Sequence, residues 1–176
     1  ENEQQALNDV LRLSRAMTYK AAVAGLNLGG GKAVIIGNSK KQKTTDLFQL
    51  FGRVVNSLGG RYITAEDVGT NESDMETIFK ETRYVTGIPK KIGGSGDPSP
   101  FTAYGVYVGM LACIKEKYGR SSLNGLKVLV QGAGNVGIHL IDYLYKEKVE
   151  LYVSDIDSKL CKKIQNRYNA TIVEPK

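Results

Sequence analysis

Two lysines, Lys20 and Lys32, lie on either side of the segment AAVAGLNLGGG, and the second lysine directly follows three glycines. Glycine lets the backbone come close to a small bound molecule, because no side chain intervenes and a positive φ angle carries little penalty. Two cations in a partly dry site also lower each other's proton affinity, as a general base near neutral pH requires. The lysine pair therefore predicts a site that holds a carboxylate or moves a proton.

The segment GLNLGGGK, residues 25–32, invites comparison with a phosphate-binding P-loop, but it lacks two defining residues. The pattern GxxxxGK[ST] needs glycine where this chain has Leu26 and a hydroxyl where it has Ala33. Without that hydroxyl there is no magnesium ligand, so we do not expect hydrolysis of a nucleoside triphosphate. Asp67, at the end of a predicted strand, is the natural acidic partner of the lysines, although an Asp before Val-Gly often serves only to form a turn.

A second motif, Gly132-Ala133-Gly134-Asn135-Val136-Gly137, matches GxGxxG. It directly follows the apolar run Val128–Val130 and opens an amphipathic helix, the context in which this pattern binds a dinucleotide. The helix amino terminus offers free N–H groups to phosphate oxygens. Asp155 ends the next predicted strand, where an acid binds the adenosine ribose and would repel a 2′-phosphate. The motif therefore predicts NAD rather than NADP.

The elements that must position these motifs follow from hydrophobic periodicity and turn signals. In the first half we expect helices at 4–17 and 45–58, a helix beginning at the capping-box pattern Ser73–Glu76, and short strands at 33–36, 62–65 and 83–85. In the second half, a helix from Pro100 to Tyr118 precedes strands at 127–131, 150–154 and 171–173, which alternate with helices at 136–146 and 159–168. This alternation predicts an α/β fold with a parallel sheet.

Composition narrows the class of protein. The chain has 176 residues, 41% hydrophobic and 24% charged, which is ordinary for a soluble globular protein. No apolar run approaches the roughly 18 residues that span a bilayer, and the acidic amino end is unlike a secretory signal. Cys113 and Cys161 form no CxxC pair, so reduced thiols in the cytoplasm are favoured.

The formal charge of +6 raises the alternative of a basic nucleic-acid-binding domain. The basic residues are scattered, however, and the one short cluster, Lys40, Lys41 and Lys43, has no aromatic side chains among its members. A solvated loop is the better interpretation of that cluster. We therefore expect neither a nucleic acid nor a membrane as a partner.

Four segments resemble one family of enzymes: LSRAMTYKAAVAGLNLGGGK, GRYITAEDVGT, SGDPSPFTAYGV and VQGAGNVG. They are similar to the amino-acid dehydrogenases of the glutamate, leucine, phenylalanine and valine group. The resemblance spans nearly the entire chain. Its first segment is highly specific, because it contains both lysines in the family's order and spacing.

The resemblance implies a role for individual residues and no metal site. Lys20 would hold the substrate α-carboxylate with Met17 also in the substrate site, and Lys32 would activate water against an imino acid. Asp67 would exchange protons with the substrate nitrogen. The implied cofactor residues are Thr102 at the nicotinamide amide, the turn formed by Gly132, Ala133, Gly134, Asn135, Val136, Gly137 and Ile138, and Asp155 at the adenosine ribose.

The resemblance also implies a reaction, the NAD-dependent oxidative deamination of an apolar L-amino acid to a 2-oxo acid and ammonia. A branched-chain substrate is expected, with a phenylalanine- or tryptophan-specific enzyme and a non-catalytic NAD-binding module as alternatives. The expected protein is a cytoplasmic homo-oligomer.

The architecture implied by the resemblance is a substrate and catalytic domain at 1–86 and an NAD-binding domain at 87–176, with the active cleft between them. Glycine and proline are concentrated between Gly87 and Pro100, where we expect the chain to cross between domains. Because family members are much longer, we expect a partial substrate domain followed by the first half of a Rossmann-type, doubly wound domain.

Overall fold

Residues 2–175 are described by a computed structural model, in which the chain divides into two units. The first unit ends at Asp97 and the second begins at Pro98. We expected the division after residue 86, at the start of the glycine- and proline-rich stretch. Residues 87–97 instead pack with the first unit, because Ile88 is buried in its core and the N–H of Gly96 donates to the carbonyl of Ile88 (3.0 Å).

The first unit is built mainly from helices. Its core is formed by the buried side chains of Phe48, Met75, Ile78, Val85 and Ile88. The helices are α1 (Glu3–Val23), α2 (Thr45–Ser57) and α3 (Glu72–Phe79), and a 3₁₀ turn follows at Lys90–Ile92.

Helix α1 begins near its predicted start but extends well beyond residue 17. Asn2 caps it, since its side chain accepts the N–H of Gln5 while the Gln5 side chain accepts the N–H of Asn2. At the other end, Gly25 takes a φ angle of 70° and the N–H of Leu26 donates to the carbonyl of Ala21 (2.9 Å). The helix therefore ends where glycine allows a left-handed residue, and Lys20 lies on its last turn.

The helix predicted at the capping-box pattern Ser73–Glu76 forms as α3, but it begins at Glu72 and Ser73 is not its cap. The cap is Asn71, whose side chain accepts the N–H groups of Ser73 (3.0 Å) and Asp74 (3.1 Å). The Asp74 carboxylate accepts the N–H of Asn71 in return (2.9 Å). Asparagine caps as well as serine does, and here it stands three residues before an acid that completes the box.

The three strands predicted in the first unit do not form as strands. Thr64 and Val85 make a single parallel bridge, in which the N–H of Thr64 donates to the carbonyl of Tyr84 (3.0 Å). Residues 33–36 are irregular, and Ile35 and Ile36 are exposed rather than buried. A strand needs a hydrogen-bonded neighbour, and within the described part of the chain no neighbouring strand pairs with residues 33–36.

The second unit follows the predicted alternation closely. A long helix precedes a βαβαβ arrangement in the order α4 (Ser99–Tyr118), β1 (Lys127–Gln131), α5 (Asn135–Lys146), β2 (Glu150–Ser154), α6 (Ser158–Tyr168) and β3 (Thr171–Ile172). All three strands are parallel, in the spatial order β1-β2-β3. The α/β fold with a parallel, Rossmann-type sheet is therefore confirmed.

The core of the second unit lies between this sheet and its helices. The fully buried side chains include Leu123, Ile141, Leu144, Val153 and Ile164. Parallel strands buried on their faces are expected to be rich in such aliphatic residues. Among residues 2–175, no helix is both long enough and apolar enough to cross a membrane.

Candidate active site

The backbone before Lys32 is fastened to helix α1. The N–H of Gly30 donates to the hydroxyl of Thr18 (3.0 Å), which donates in turn to the carbonyl of Ser14 (3.1 Å). A Cβ atom on Gly30 would lie only 2.0 Å from that Ser14 oxygen, so no other residue fits there without moving the backbone. The close contact between Gly30 and α1 therefore fixes the position of the backbone that leads into Lys32.

Two of the three glycines are required by the protein's own atoms. Besides Gly30, a Cβ on Gly31 would lie 2.8 Å from the ring of Tyr62, whereas one on Gly29 would meet nothing within 4 Å. These glycines, all within the described range, lie outside the left-handed region of φ. Glycine is needed at positions 30 and 31 because there is no space for a Cβ atom, and not because the backbone has a positive φ angle.

Lys32 and Asp67 are in direct contact. The Nζ atom of Lys32 donates to Oδ2 of Asp67, although the two residues are 35 positions apart. The Lys32 side chain is 19% exposed and the Asp67 side chain 55% exposed, so the pair is open to solvent on the carboxylate side. A small molecule can therefore reach the carboxylate while the carboxylate is hydrogen-bonded to the amine.

The pKa of Asp67 lies below its ordinary value. The main cause is the hydrogen bond from Lys32, and the partial burial of the carboxyl opposes it. The N–H of Val68 also donates to Oδ1 of Asp67 (2.8 Å), and the positive charges of Lys32 and Lys20 act in the same direction. The arrangement favours an ionised Asp67.

Lys20 and Met17 lie three residues apart on α1 and so share a face of that helix. Lys20 is exposed and Met17 is half-buried. The positive charge of Lys20 helps to lower the pKa of Asp67, so Lys20, Lys32 and Asp67 lie in one neighbourhood of the first unit. Lys20 therefore adds a second positive charge beside the Lys32–Asp67 pair, and this charge can attract an anionic group of a ligand.

Glu66 is a feature of this neighbourhood that the motifs did not predict. Burial raises the pKa of the half-buried Glu66 carboxyl, and the adjacent carboxyl of Asp97, to which it is hydrogen-bonded, raises it further. The negative charges of Glu72 and Asp74 act in the same direction. No sequence signal places Asp97 beside Glu66, because the two residues come from segments that meet only in the folded unit.

The glycine turn of the second unit has the geometry that its motif predicts. Gly132 follows β1 with a φ angle of 88°, and its N–H donates to the carbonyl of Ser154 (2.8 Å). A Cβ on Gly137 would lie 2.1 Å from the carbonyl oxygen of Gly132. Gly134 caps α5, and a Cβ there would meet nothing within 4 Å. Gly132 is needed for its backbone conformation and Gly137 for close packing, whereas Gly134 leaves open space at the amino terminus of α5.

Asp155 lies against this turn. Its Oδ2 accepts the N–H of Ala133 (2.7 Å) and its Oδ1 accepts the N–H of Asp157 (2.8 Å). These backbone hydrogen bonds lower the pKa of Asp155, so the carboxylate is ionised beside the amino end of α5. Thr102 lies in the first turn of α4, where its hydroxyl donates to the carbonyl of Pro98 (3.1 Å).

Within residues 2–175, no group of three or more His, Cys, Asp or Glu side chains is arranged to hold a metal ion. Of the charged groups in the candidate site, Lys32 and Asp67 are paired with each other, and Asp155 is paired with backbone amides. The arrangement can bind anions and move protons.

Comparison with known families matches both parts of the chain. The model described as Glu/Leu/Phe/Val dehydrogenase, dimerisation domain, matches residues 2–84, and the model described as Glutamate/Leucine/Phenylalanine/Valine dehydrogenase matches residues 93–167. The chain belongs to the Glu/Leu/Phe/Val dehydrogenase family. The family resemblance of the four sequence segments is thereby confirmed.

Individual relatives within the Glu/Leu/Phe/Val dehydrogenase family agree with this assignment. The chain is 53% identical over 174 residues to leucine dehydrogenase of Geobacillus stearothermophilus, covering 99% of this chain and 47% of that protein. It is 49% identical over 154 residues to valine dehydrogenase of Streptomyces virginiae, covering 88% of this chain and 43% of that protein. The crystal structure of L-tryptophan dehydrogenase from Nostoc punctiforme matches with a TM-score of 0.69 and 44% identity, covering 99% of this chain and 48% of that one. The chain thus spans about half the length of the relatives it matches.

Proposed function

We propose that the protein carrying this chain catalyses the NAD-dependent oxidative deamination of an apolar L-amino acid, leucine- or valine-like, to the 2-oxo acid and ammonia. The observation that carries this proposal is the contact between Lys32 and Asp67 with the charge of Lys20 beside it. Relatives named for leucine, valine and tryptophan support the class of substrate.

Lys20 is proposed to bind the substrate α-carboxylate. Its ammonium group is exposed on the last turn of α1, so a ligand can reach it. A charge-assisted hydrogen bond from an ammonium to a carboxylate is roughly twice as strong as a neutral one. With the carboxylate held there, and Met17 beside it on the same helix face, the substrate's α-amino group would lie toward Asp67.

Lys32 and Asp67 are proposed to divide the proton transfers. The amine of Lys32 would deprotonate the water that adds to the imino carbon, and Asp67 would exchange protons with the substrate nitrogen. Both groups are within hydrogen-bond reach of each other, as a relay between a base and an acid requires. The family resemblance assigns the same two roles.

NAD is proposed to bind at the glycine turn of the second unit. When bound, NAD accepts the hydride that leaves the substrate α-carbon. Gly134 leaves room for a pyrophosphate at the helix amino terminus, whose first N–H groups lack intrahelical acceptors. The ionised Asp155 is suited to ribose hydroxyls and repels a 2′-phosphate, which favours NAD over NADP. Thr102 is proposed to contact the nicotinamide amide.

The experiment that tests this function is a substrate panel on the full-length protein. NADH formation would be followed with L-leucine, L-valine, L-phenylalanine and L-tryptophan, and each reaction repeated with NADP. We expect the highest kcat/KM with leucine or valine and a strong preference for NAD. A preference for phenylalanine or tryptophan would show that the protein is an aromatic amino-acid dehydrogenase of the same family. Binding of NADH without turnover of any amino acid would instead indicate a non-catalytic module.

We further propose that the first unit belongs to the substrate domain and the second to the NAD-binding domain of a homo-oligomer. The matched description of the first unit as a dimerisation domain supports oligomer formation, as do the exposed apolar side chains Leu7, Leu11 and Val23 along α1. We place the reaction in the cytoplasm, where the free thiols of Cys113 and Cys161 would stay reduced.

A further inference from the structure

The four residues Asp67–Thr70 form a turn that one hydroxyl group closes. The Thr70 hydroxyl accepts the N–H of Asp67 (2.8 Å) and donates to the carbonyl of the same residue (2.8 Å). The N–H of Thr70 donates to that carbonyl as well (2.9 Å). Two of these three hydrogen bonds therefore need the Thr70 side chain.

The turn determines the direction of the Asp67 carboxylate. Its Oδ1 accepts the N–H of Val68 (2.8 Å), which is inside the turn, and its Oδ2 accepts the amine of Lys32 from outside. If the turn opened, the Val68 N–H would move and Oδ1 would lose its partner. The orientation of Oδ2 toward Lys32 would change with it.

Apart from Thr70, the turn is in contact with Ser39, whose Cβ would lie 3.0 Å from a Cβ atom on Gly69. The Val68 side chain is 98% exposed, so it contributes no packing. Gly69 has a φ angle of 85°, a conformation that glycine permits but does not enforce. The half-buried Thr70 is the residue whose side chain joins the two ends of the turn.

We propose that Thr70 is a positioning residue, whose hydroxyl holds Asp67 in the orientation that reaches Lys32 and the substrate nitrogen. The inference rests on the proposed function, because it assumes that Asp67 exchanges protons during turnover. Thr70 itself touches neither substrate nor cofactor in this assignment. It acts through the backbone and the carboxylate of Asp67.

The test compares three variants of the full-length protein. Thr70→Val keeps the shape of the side chain and removes the hydroxyl, and Thr70→Ser keeps the hydroxyl. Thr77→Val is the matched control, since the Thr77 hydroxyl donates to the carbonyl of Ser73 within α3 (3.1 Å) and so forms a hydrogen bond local to its own helix. Steady-state kcat and KM for L-leucine would be measured with NAD and normalised to the folded fraction from circular dichroism.

We expect Thr70→Val to lower kcat per folded molecule by on the order of tenfold to a hundredfold, as small misplacements of a catalytic group do. The KM for leucine should change by less than about twofold, because Lys20 still holds the carboxylate. Thr70→Ser and Thr77→Val should both stay near the wild-type kcat. Thr70→Ala serves as a second deletion of the hydroxyl if the valine variant does not fold.

Equal kcat values for Thr70→Val and Thr77→Val would overturn the proposal, and so would a serine variant as slow as the valine variant. Failure of both Thr70→Val and Thr70→Ala to fold would also overturn it, by making Thr70 a requirement of the fold. If the wild-type protein itself turns over no amino acid, the proposed function fails first. A working wild type with an unaffected Thr70→Val variant rejects the positioning role alone.

Discussion

Lys32 and Asp67 form an ion pair across 35 positions of the chain. Lys32 reaches this contact because Gly30 packs against α1, and Asp67 reaches it because the bridge between Thr64 and Val85 holds the preceding residues. The pair thus depends on two separate attachments within the first unit. Each attachment can be tested by substitution.

The first prediction concerns the proposed base. Lys32→Ala in the full-length protein should lower kcat with L-leucine by roughly a hundredfold to ten-thousandfold, the usual contribution of general acid–base catalysis. The affinity for NADH, measured by fluorescence titration, should stay within about twofold, because Lys32 is proposed to act on the substrate. A variant that retains half of the wild-type activity would remove Lys32 from the catalytic role.

Lys43→Ala is the matched control for this substitution. Lys43 also forms an ion pair with an aspartate of the first unit, Asp74, and its side chain is similarly half-buried. Its loss should lower the melting temperature but leave kcat per folded molecule unchanged. A comparable loss of turnover in both variants would mean that Lys32 matters for folding rather than for chemistry.

A second prediction separates two adjacent glycines. Gly30→Ala places a Cβ atom 2.0 Å from the Ser14 carbonyl oxygen, whereas Gly29→Ala places one in open space. Overpacking of this kind costs about 1–3 kcal/mol, and the backbone before Lys32 must shift. We expect Gly30→Ala to lower both the melting temperature and kcat, and Gly29→Ala to change stability by less than about 0.5 kcal/mol. Calorimetry and steady-state kinetics would measure both, and similar behaviour of the two variants would contradict the packing argument.

A third prediction tests the proposed cofactor turn. Gly134→Ala adds a methyl group where nothing lies within 4 Å, so the melting temperature without cofactor should be unchanged. If the pyrophosphate approaches this backbone, the affinity for NADH should fall by about tenfold or more. Gly137→Ala should instead destabilise the second unit directly, because its Cβ would lie 2.1 Å from the Gly132 oxygen.

Gly105→Ala is the control for the affinity measurement. Gly105 lies in α4, and a Cβ atom there would also meet nothing within 4 Å. This variant should bind NADH as the wild type does. Equal NADH affinities for Gly134→Ala and the wild type would place the cofactor away from this turn. That result would leave the stability prediction for Gly137 intact.

The fourth prediction concerns Glu66 and pH. Since burial and Asp97 raise the pKa of Glu66 in the folded state, the folded protein binds this proton more tightly than the unfolded chain does. Ionised Glu66 therefore destabilises the fold at neutral pH, and this penalty disappears as the pH falls through the raised pKa. Glu66→Gln should raise the melting temperature at neutral pH by roughly 1–3 °C. The difference should vanish below about pH 4, where the wild-type carboxyl is protonated.

Thermal melts of wild type and Glu66→Gln across this pH range would measure the effect. Glu116→Gln is the control, because it removes the same charge from an exposed side chain of α4. The control should show no such pH-dependent gain. A Glu66→Gln variant that is less stable than the wild type at neutral pH would contradict the assigned cause of the raised pKa.

Local patterns predicted most of the second unit. The strand β2 was predicted at Glu150–Ser154 and observed with those bounds, and α4 ends at Tyr118 as predicted, with Gly119 as its cap. Alternating apolar residues and a terminal glycine act on their own neighbours in the chain, so their consequences can be predicted without tertiary contacts. The same holds for the turn at Gly132, where the backbone conformation is local.

The first unit was predicted less well, because its apolar segments depend on partners. Residues 33–36 are apolar enough for a buried strand, but no described strand pairs with them and they are irregular. The cap of α3 is Asn71 rather than Ser73, and both residues stand three positions before an acid, so the local pattern by itself does not choose between the two boxes.

By itself, the sequence determined the family, the parallel α/β arrangement of the second unit and the identity of the candidate residues Lys20, Lys32 and Asp67. Residue type and spacing are enough for these, since they specify chemistry and local geometry. Only the tertiary structure decided that Lys32 contacts Asp67 and that Glu66 contacts Asp97. Such contacts join segments distant in sequence, and they form only when the packing of the whole unit brings those segments together.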